Sequence, residues 1–145
     1  AEKLGEQYQI VLVGTDDEID KNLPHNIISI HRTQNQKELA EVYSAADVFA
    51  MPTREDNYPT VNIEAIACGT PVVTFRTGGS PEMLDDKTGI VVEANNIEAT
   101  EKAIKDICEK KGCNDEDYIV AYSKKFNMQK KFTDYIELYA TVLEE

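Results

Sequence analysis

Strands that alternate with helices through short connections predict an α/β chain: a doubly wound, Rossmann-like parallel sheet with helices on both faces. Two observations carry this. Residues 8–13 (YQIVLV) and 71–75 (PVVTF) are continuous apolar runs, the pattern of strands buried on both faces. Between them Leu39, Val42, Tyr43 and Ala46 recur at helical spacing.

In order, the first strand at 8–13 closes at Gly14, and a short β-branched strand follows at 26–30 (NIISI). A helix over 36–46 leads to a third strand at 48–51 (VFAM), stopped by Pro52. Residues 59–68 read as a helix with Pro59 at its first position, ended by Gly69 before the strand at 71–75. A glycine-rich turn at 77–81 precedes a fifth strand at 89–92 (GIVV). Ile97, Thr100, Ile104, Ile107 and Cys108 mark one helix; Met128, Phe132, Tyr135, Ile136, Tyr139, Val142 and Leu143 mark a longer one. The first five residues read as the tail of a helix, and 16–18, 95–96 and 110–117 as surface loops.

At 145 residues the chain is one domain, 1–145, with an ordinary soluble balance of 41% apolar and 29% charged residues. A net charge of −12 argues against nucleic acid as a partner, because phosphate backbones need clustered cations. It leaves room for one small anionic ligand held by backbone N–H groups. No run of residues suits a membrane span or a signal peptide, so the expected setting is cytoplasmic. Cys68, Cys108 and Cys113 are odd in number and form no C-x-x-C pair, so idle reduced thiols are expected.

In open parallel sheets ligands sit beyond the carboxyl ends of the strands. That directs attention to Gly14-Thr15, to His31-Arg32-Thr33, to residues 52–58 and to residues 76–80. The densest signal is the run from Pro52 to Ala65, PTREDNYPTVNIEA. It places Asp56 in a loop, then a helix start with free N–H groups and a positive dipole end, then Glu64 within the helix. Thr60 and Glu64 are four apart and share a helix face.

This stretch resembles the acidic-x7-Glu motif of the family 4 (group 1) retaining glycosyltransferases, enzymes of the GT-B fold. Seven residues separate Asp56 from Glu64. Residues 65–73 (AIACGTPVV), Gly78-Gly79-Ser80-Pro81-Glu82, residues 39–51 (LAEVYSAADVFAM) and residues 88–92 (TGIVV) are similar to the family's other motifs, in the same order. The resemblance covers nearly the whole chain, and several motifs in order are far more specific than any one alone.

The resemblance implies that the chain is the C-terminal, nucleotide-sugar-binding half of a longer two-domain enzyme. Asp56 would contact donor-sugar hydroxyls and Glu64 would accept from the nucleotide ribose. The backbone at Asn57, Tyr58, Thr60 and Val61 would face the diphosphate and sugar. Arg32 and Thr33 would border the base, and Gly14, Gly78 and Gly79 would line the donor cleft. The partner would be a nucleotide-diphosphate sugar, with no metal and no further cofactor. Asp56 stands where the family usually has Glu, one methylene longer. The diphosphate-binding Arg and Lys, the first strand and the N-terminal acceptor domain would lie upstream. Loss of that strand is expected to leave a gap, a rearrangement or an open edge between the first and third strands here. A lipid-linked acceptor would bring the enzyme to the inner face of the membrane.

Blander readings stand beside these. Glu64 alone could be a solvated helix residue, and Asp56 a cap for the helix that follows. Gly78-Gly79 could contact ligand or supply only positive φ. His31 could touch ligand or be structural. Lys124, Lys125, Lys130 and Lys131 are read as a solvated face, and the acidic runs at 16–18 and 115–117 as loops rather than metal sites. A phospho-acceptor receiver domain is excluded, since Asp47 precedes the third strand and no lysine follows the fifth. A module that binds sugar nucleotides without turnover remains as the alternative.

Overall fold

The computed structural model describes residues 3–110, 113 and 115–143. Among these residues five parallel strands and six α-helices follow in the order β1 (Ile10–Val13), α1 (Asp17–Asp20), β2 (Ile27–Ile30), α2 (Gln36–Ser44), β3 (Phe49–Met51), α3 (Thr60–Ala67), β4 (Val72–Phe75), β5 (Gly89–Val92), α4 (Ile97–Cys108), α5 (Glu116–Ser123) and α6 (Met128–Leu143). Short 3-10 turns occupy Ser80–Met83 and Lys124–Phe126.

The strands form two sheets. Among the described residues β1 pairs only with β2, and β3, β4 and β5 form a second sheet in that order. The sheet is thus broken between the β1–β2 pair and the strands that follow. The strands of the β1–β2 unit make only slight contact with the elements of the other sheet. Val11, Val13 and Ile28 remain exposed on it, so these β-branched residues lack the covering layer their sequence calls for.

The three-stranded sheet is covered on both faces. All four residues of its central strand β4 are buried. On one face Val73, Phe75 and Val92 pack with Ala103 and Ile107 of α4. On the other, Val72 packs with Tyr43 of α2, Ala65 and Ile66 of α3, and Ile119 of α5. Burying one such aliphatic side chain is worth about 1.5–3 kcal/mol, so these two clusters hold the domain.

Helix α3 is the element that matters most for the site. Pro59 is its N-cap rather than its first helical residue, one position from the sequence expectation, and makes no side-chain cap. The helix ends in a Schellman arrangement: Gly69 N–H donates to Ile66 O and Thr70 N–H to Ala65 O, both at 3.0 Å, with Gly69 at φ +82°.

Two segments read as surface loops, 16–18 and 110–117, are more structured than that. Asp16 caps α1 by accepting from Glu18 and Ile19 N–H, so part of the first acidic run is helix start. Asp115 likewise caps α5, and Ile119 of that helix is wholly buried. Cys113 is buried against the α4 cluster. Of the residues read as a helix tail at the start, Lys3 and Leu4 lie in a turn; Ala1 and Glu2 lie outside the described residues. α6 forms as expected, with Phe132, Tyr135, Ile136, Tyr139, Val142 and Leu143 all exposed.

Candidate functional site

At the carboxyl edge of the three-stranded sheet, the chain leaves β3 through residues 52–58 and enters α3. Three hydroxyls pin this loop. Thr74 on β4 donates to Met51 O at 3.0 Å, Thr77 to Thr53 O at 3.1 Å, and Thr53 to Glu55 O at 3.0 Å. The Asp56 carboxylate accepts from Tyr58 N–H through Oδ1 at 3.0 Å. This is an Asx turn, and it aims the chain into Pro59 and the helix. Asp56 therefore shapes its own loop while Oδ2 stays without a hydrogen bond among the described residues.

The double glycine is the seat for that loop. Gly79 N–H donates to Asn57 O at 2.8 Å. A Cβ on Gly79 would lie 2.7 Å from the Tyr58 ring and 2.8 Å from Asn57 O. Gly78, at φ +49°, sits closer still, under the Asp56 carbonyl. So the two glycines let one backbone lie directly on another. Asp56, Asn57, Tyr58, Gly78 and Gly79 are thus brought together as one unit.

Thr60 and Glu64 are both exposed on α3 while Asn62, Ala65 and Ile66 are fully buried, so the shared open face is present. Pro59 has no N–H and caps nothing through its side chain, which leaves the first N–H groups of α3 to other acceptors. Asn62 N–H returns to Pro59 O at 3.0 Å, while the N–H groups of Thr60 and Val61 have no partner among the described residues. Glu64 is not free of the protein. Tyr43 O–H of α2 donates to Glu64 Oε2 at 3.2 Å, a partner that sequence reading missed. The signal was there: a tyrosine on the apolar stripe of a helix needs a polar partner for its hydroxyl.

Gly14, Arg32 and Thr33 lie at the carboxyl ends of β1 and β2, on the separate sheet. Gly14 has φ +90° and open space where a Cβ would be. Among the described residues no hydrogen bond or ion pair joins these three to α3 or its loop. His31 beside them is tied to α1 instead, with Nε2 2.6 Å from Asp20 Oδ2. Lys125 of the basic stripe lies over the Tyr122 ring, 3.6 Å from its centroid, and Lys131 faces Asp134 at 3.5 Å.

A cavity of about 270 Å³ opens at the other end of the sheet, lined by Asp47, Pro71 and all three cysteines. Burial pushes each thiol up from its ordinary range, the direction of inert rather than reactive cysteines. Among the described residues no group of His, Cys, Asp or Glu is placed to hold a metal ion. No helix among them is long and apolar enough to cross a membrane.

A parallel sheet covered by helices, with a pinned acidic loop and an uncapped helix start beyond its carboxyl edge, defines a doubly wound α/β domain. Residues 1–126 match the glycosyl transferases group 1 family, and the chain belongs to that family. It is 41% identical over 80 residues to a D-inositol 3-phosphate glycosyltransferase of Mycobacteroides abscessus, covering 54% of this chain and 18% of that protein. It is 43% identical over 79 residues to a GDP-mannose-dependent alpha-(1-6)-phosphatidylinositol monomannoside mannosyltransferase of Mycolicibacterium smegmatis, covering 49% of this chain and 21% of that one. The chain thus spans about a fifth of the length of these curated relatives. Among solved structures, sucrose-phosphate synthase from Thermosynechococcus elongatus superposes with a TM-score of 0.71 at 24% identity, over 98% of this chain and 41% of that one. TarM superposes at 0.63 and 18% identity, over 94% of this chain and 31% of its own. The fold is the GT-B type expected from the sequence.

Proposed function

We propose that this chain is the donor-binding half of a retaining glycosyltransferase that takes its sugar from a nucleotide-diphosphate sugar. The observation that carries the reading is the uncapped start of α3, flanked by Asp56 in the loop before it and Glu64 one turn inside it. The N–H groups of Thr60 and Val61, with the helix dipole, suit the diphosphate and the charge that grows on it as the glycosidic bond breaks. Asp56 Oδ2 is the acceptor for donor-sugar hydroxyls, and the backbone of Asn57 and Tyr58 borders the same space. Glu64 accepts from the ribose. Arg32 and Thr33 border the base, and Gly14, Gly78 and Gly79 line the donor cleft. The work of these residues is orientation and electrostatics, with no metal and no nucleophile assigned to the protein.

Acceptor-binding residues are assigned to sequence outside these 145 residues, which is consistent with the small share of each relative that the chain spans. A nucleotide sugar appears in the name of the Mycolicibacterium smegmatis relative, and inositol or phosphatidylinositol compounds in both, which supports a glycolipid or polysaccharide type of acceptor. A lipid-linked acceptor would hold a cytoplasmic enzyme at the inner face of the membrane.

The test is a panel of UDP-, GDP- and ADP-sugars offered to the full-length protein, with the anomeric configuration of the product read by NMR. Transfer with retained configuration is the expected result. Inverted product, or binding of donors without any transfer, would replace this reading by an inverting enzyme or a binding-only module.

A further inference from the structure

Tyr43 is fixed on three sides. It is only 8% exposed, its ring meets Phe49 edge-on at 5.3 Å, and its backbone carbonyl accepts from the Thr70 hydroxyl at 2.7 Å. Its hydroxyl is consequently a fixed point in the wall beside α3. Glu64, by contrast, projects from an exposed helix face, where a glutamate loses rotamer freedom when it is held still. The one group among the described residues that holds it is the Tyr43 hydroxyl, at 3.2 Å from Oε2.

We propose that Tyr43 is a positioning residue, which holds the Glu64 carboxylate by Oε2 so that Oε1 is presented to the ribose hydroxyls of a bound nucleotide. This rests on the reading of Glu64 as the ribose acceptor. A carboxylate has lone pairs on both oxygens, so a donor on Oε2 leaves Oε1 wholly available and orients it. Burial, and then the charge of Glu64, push the Tyr43 hydroxyl far above its ordinary range. It therefore stays protonated, and stays a donor, throughout the range in which enzymes work. Arranging the acceptor before the ligand arrives removes an ordering cost from binding.

The test uses Tyr43→Phe, which keeps the ring and removes only the hydroxyl. Calorimetry on the full-length protein compares the nucleoside diphosphate that binds best among UDP, GDP and ADP with its 2′,3′-dideoxy form. Tyr43→Phe is expected to weaken the ribonucleotide roughly three- to tenfold, the scale of one hydrogen bond, and to leave the dideoxy form unchanged. In a Glu64→Ala background it should have no further effect, the non-additivity of two residues that act as a unit. A purely structural tyrosine would not alter the preference for ribose over dideoxyribose. If Glu64→Ala abolishes that preference while Tyr43→Phe leaves it intact, the positioning role is wrong and the ribose site stands. If Glu64→Ala itself leaves the preference intact, the ribose reading falls and takes the inference with it.

Discussion

Gly78 lies directly beneath Asp56: a Cβ built on it would sit 2.9 Å from the Asp56 carbonyl carbon and nearer still to its oxygen. The neighbour is backbone and cannot swing away as a side chain could. Gly78 also has φ +49°, a conformation that L side chains adopt with strain. Gly78→Ala should therefore cost about 1–3 kcal/mol of stability and push the 52–58 loop off its seat. The check is a urea midpoint together with nucleotide-sugar affinity, both of which should fall. An unchanged midpoint would show that the contact is slack.

Asp56 has two tasks that substitution can separate. Its Oδ1 holds Tyr58 N–H in the turn, and its Oδ2 is assigned to the donor sugar. Asp56→Asn keeps an acceptor for Tyr58 but halves the acceptor capacity toward sugar hydroxyls, whereas Asp56→Ala loses both. In the full-length enzyme both variants should lower kcat more than they weaken nucleoside-diphosphate binding, because the reacting sugar is what they lose. Alanine should in addition lower the melting temperature. Equal loss of nucleoside-diphosphate affinity in Asp56→Asn would contradict the assignment.

The His31–Asp20 pair gives the β1–β2 unit a pH window. Its hydrogen bond to Asp20 raises the His31 pKa above 6.5, and the Ser29 hydroxyl and then His31 lower that of Asp20 below 3.8. A raised histidine stabilises fully below its unfolded value and loses that contribution as pH climbs through its folded one. A depressed aspartate stabilises above its unfolded value and loses its share as pH drops through its folded one. The pair is therefore at full effect between about 3.8 and 6.5. NMR titration of the His31 ring should show a midpoint above 6.5 that moves down in Asp20→Asn; a midpoint unmoved by that substitution would dissolve the pair.

Most of this architecture was legible because parallel strands declare themselves as apolar runs and α3 carries glycine and proline at its borders. The short helices were not. α1 and α5 are capped by Asp16 and Asp115, and those aspartates sit in acidic runs that read as solvated loop. Ile119 is wholly buried, yet a helix of eight residues shows too little period to stand out. Within the site, Asp56 and Glu64 were visible from spacing, while the Tyr43–Glu64 bond joins residues 21 apart on two helices and is a fact of tertiary packing. The same bond gives the Glu64 carboxylate a protein partner that spacing along the chain does not announce. Gly78 and Gly79 were visible as residues but not as a seat, since what they approach lies about twenty positions away.

The central claim is that Glu64 binds the nucleotide ribose, and its most direct test is nucleoside-diphosphate affinity of Glu64→Ala and Glu64→Gln by calorimetry, beside their melting temperatures. A charge-assisted hydrogen bond is worth about 1.5–3 kcal/mol, so Glu64→Ala should bind roughly ten- to a hundredfold more weakly. Glu64→Gln keeps one acceptor oxygen and should lose less. Loss of the Tyr43 bond should lower the melting temperature of Glu64→Ala by no more than a few degrees, the effect of about 1 kcal/mol in a domain of this size. Unchanged affinity with a collapsed melting temperature would make Glu64 a structural partner of Tyr43 and contradict the account.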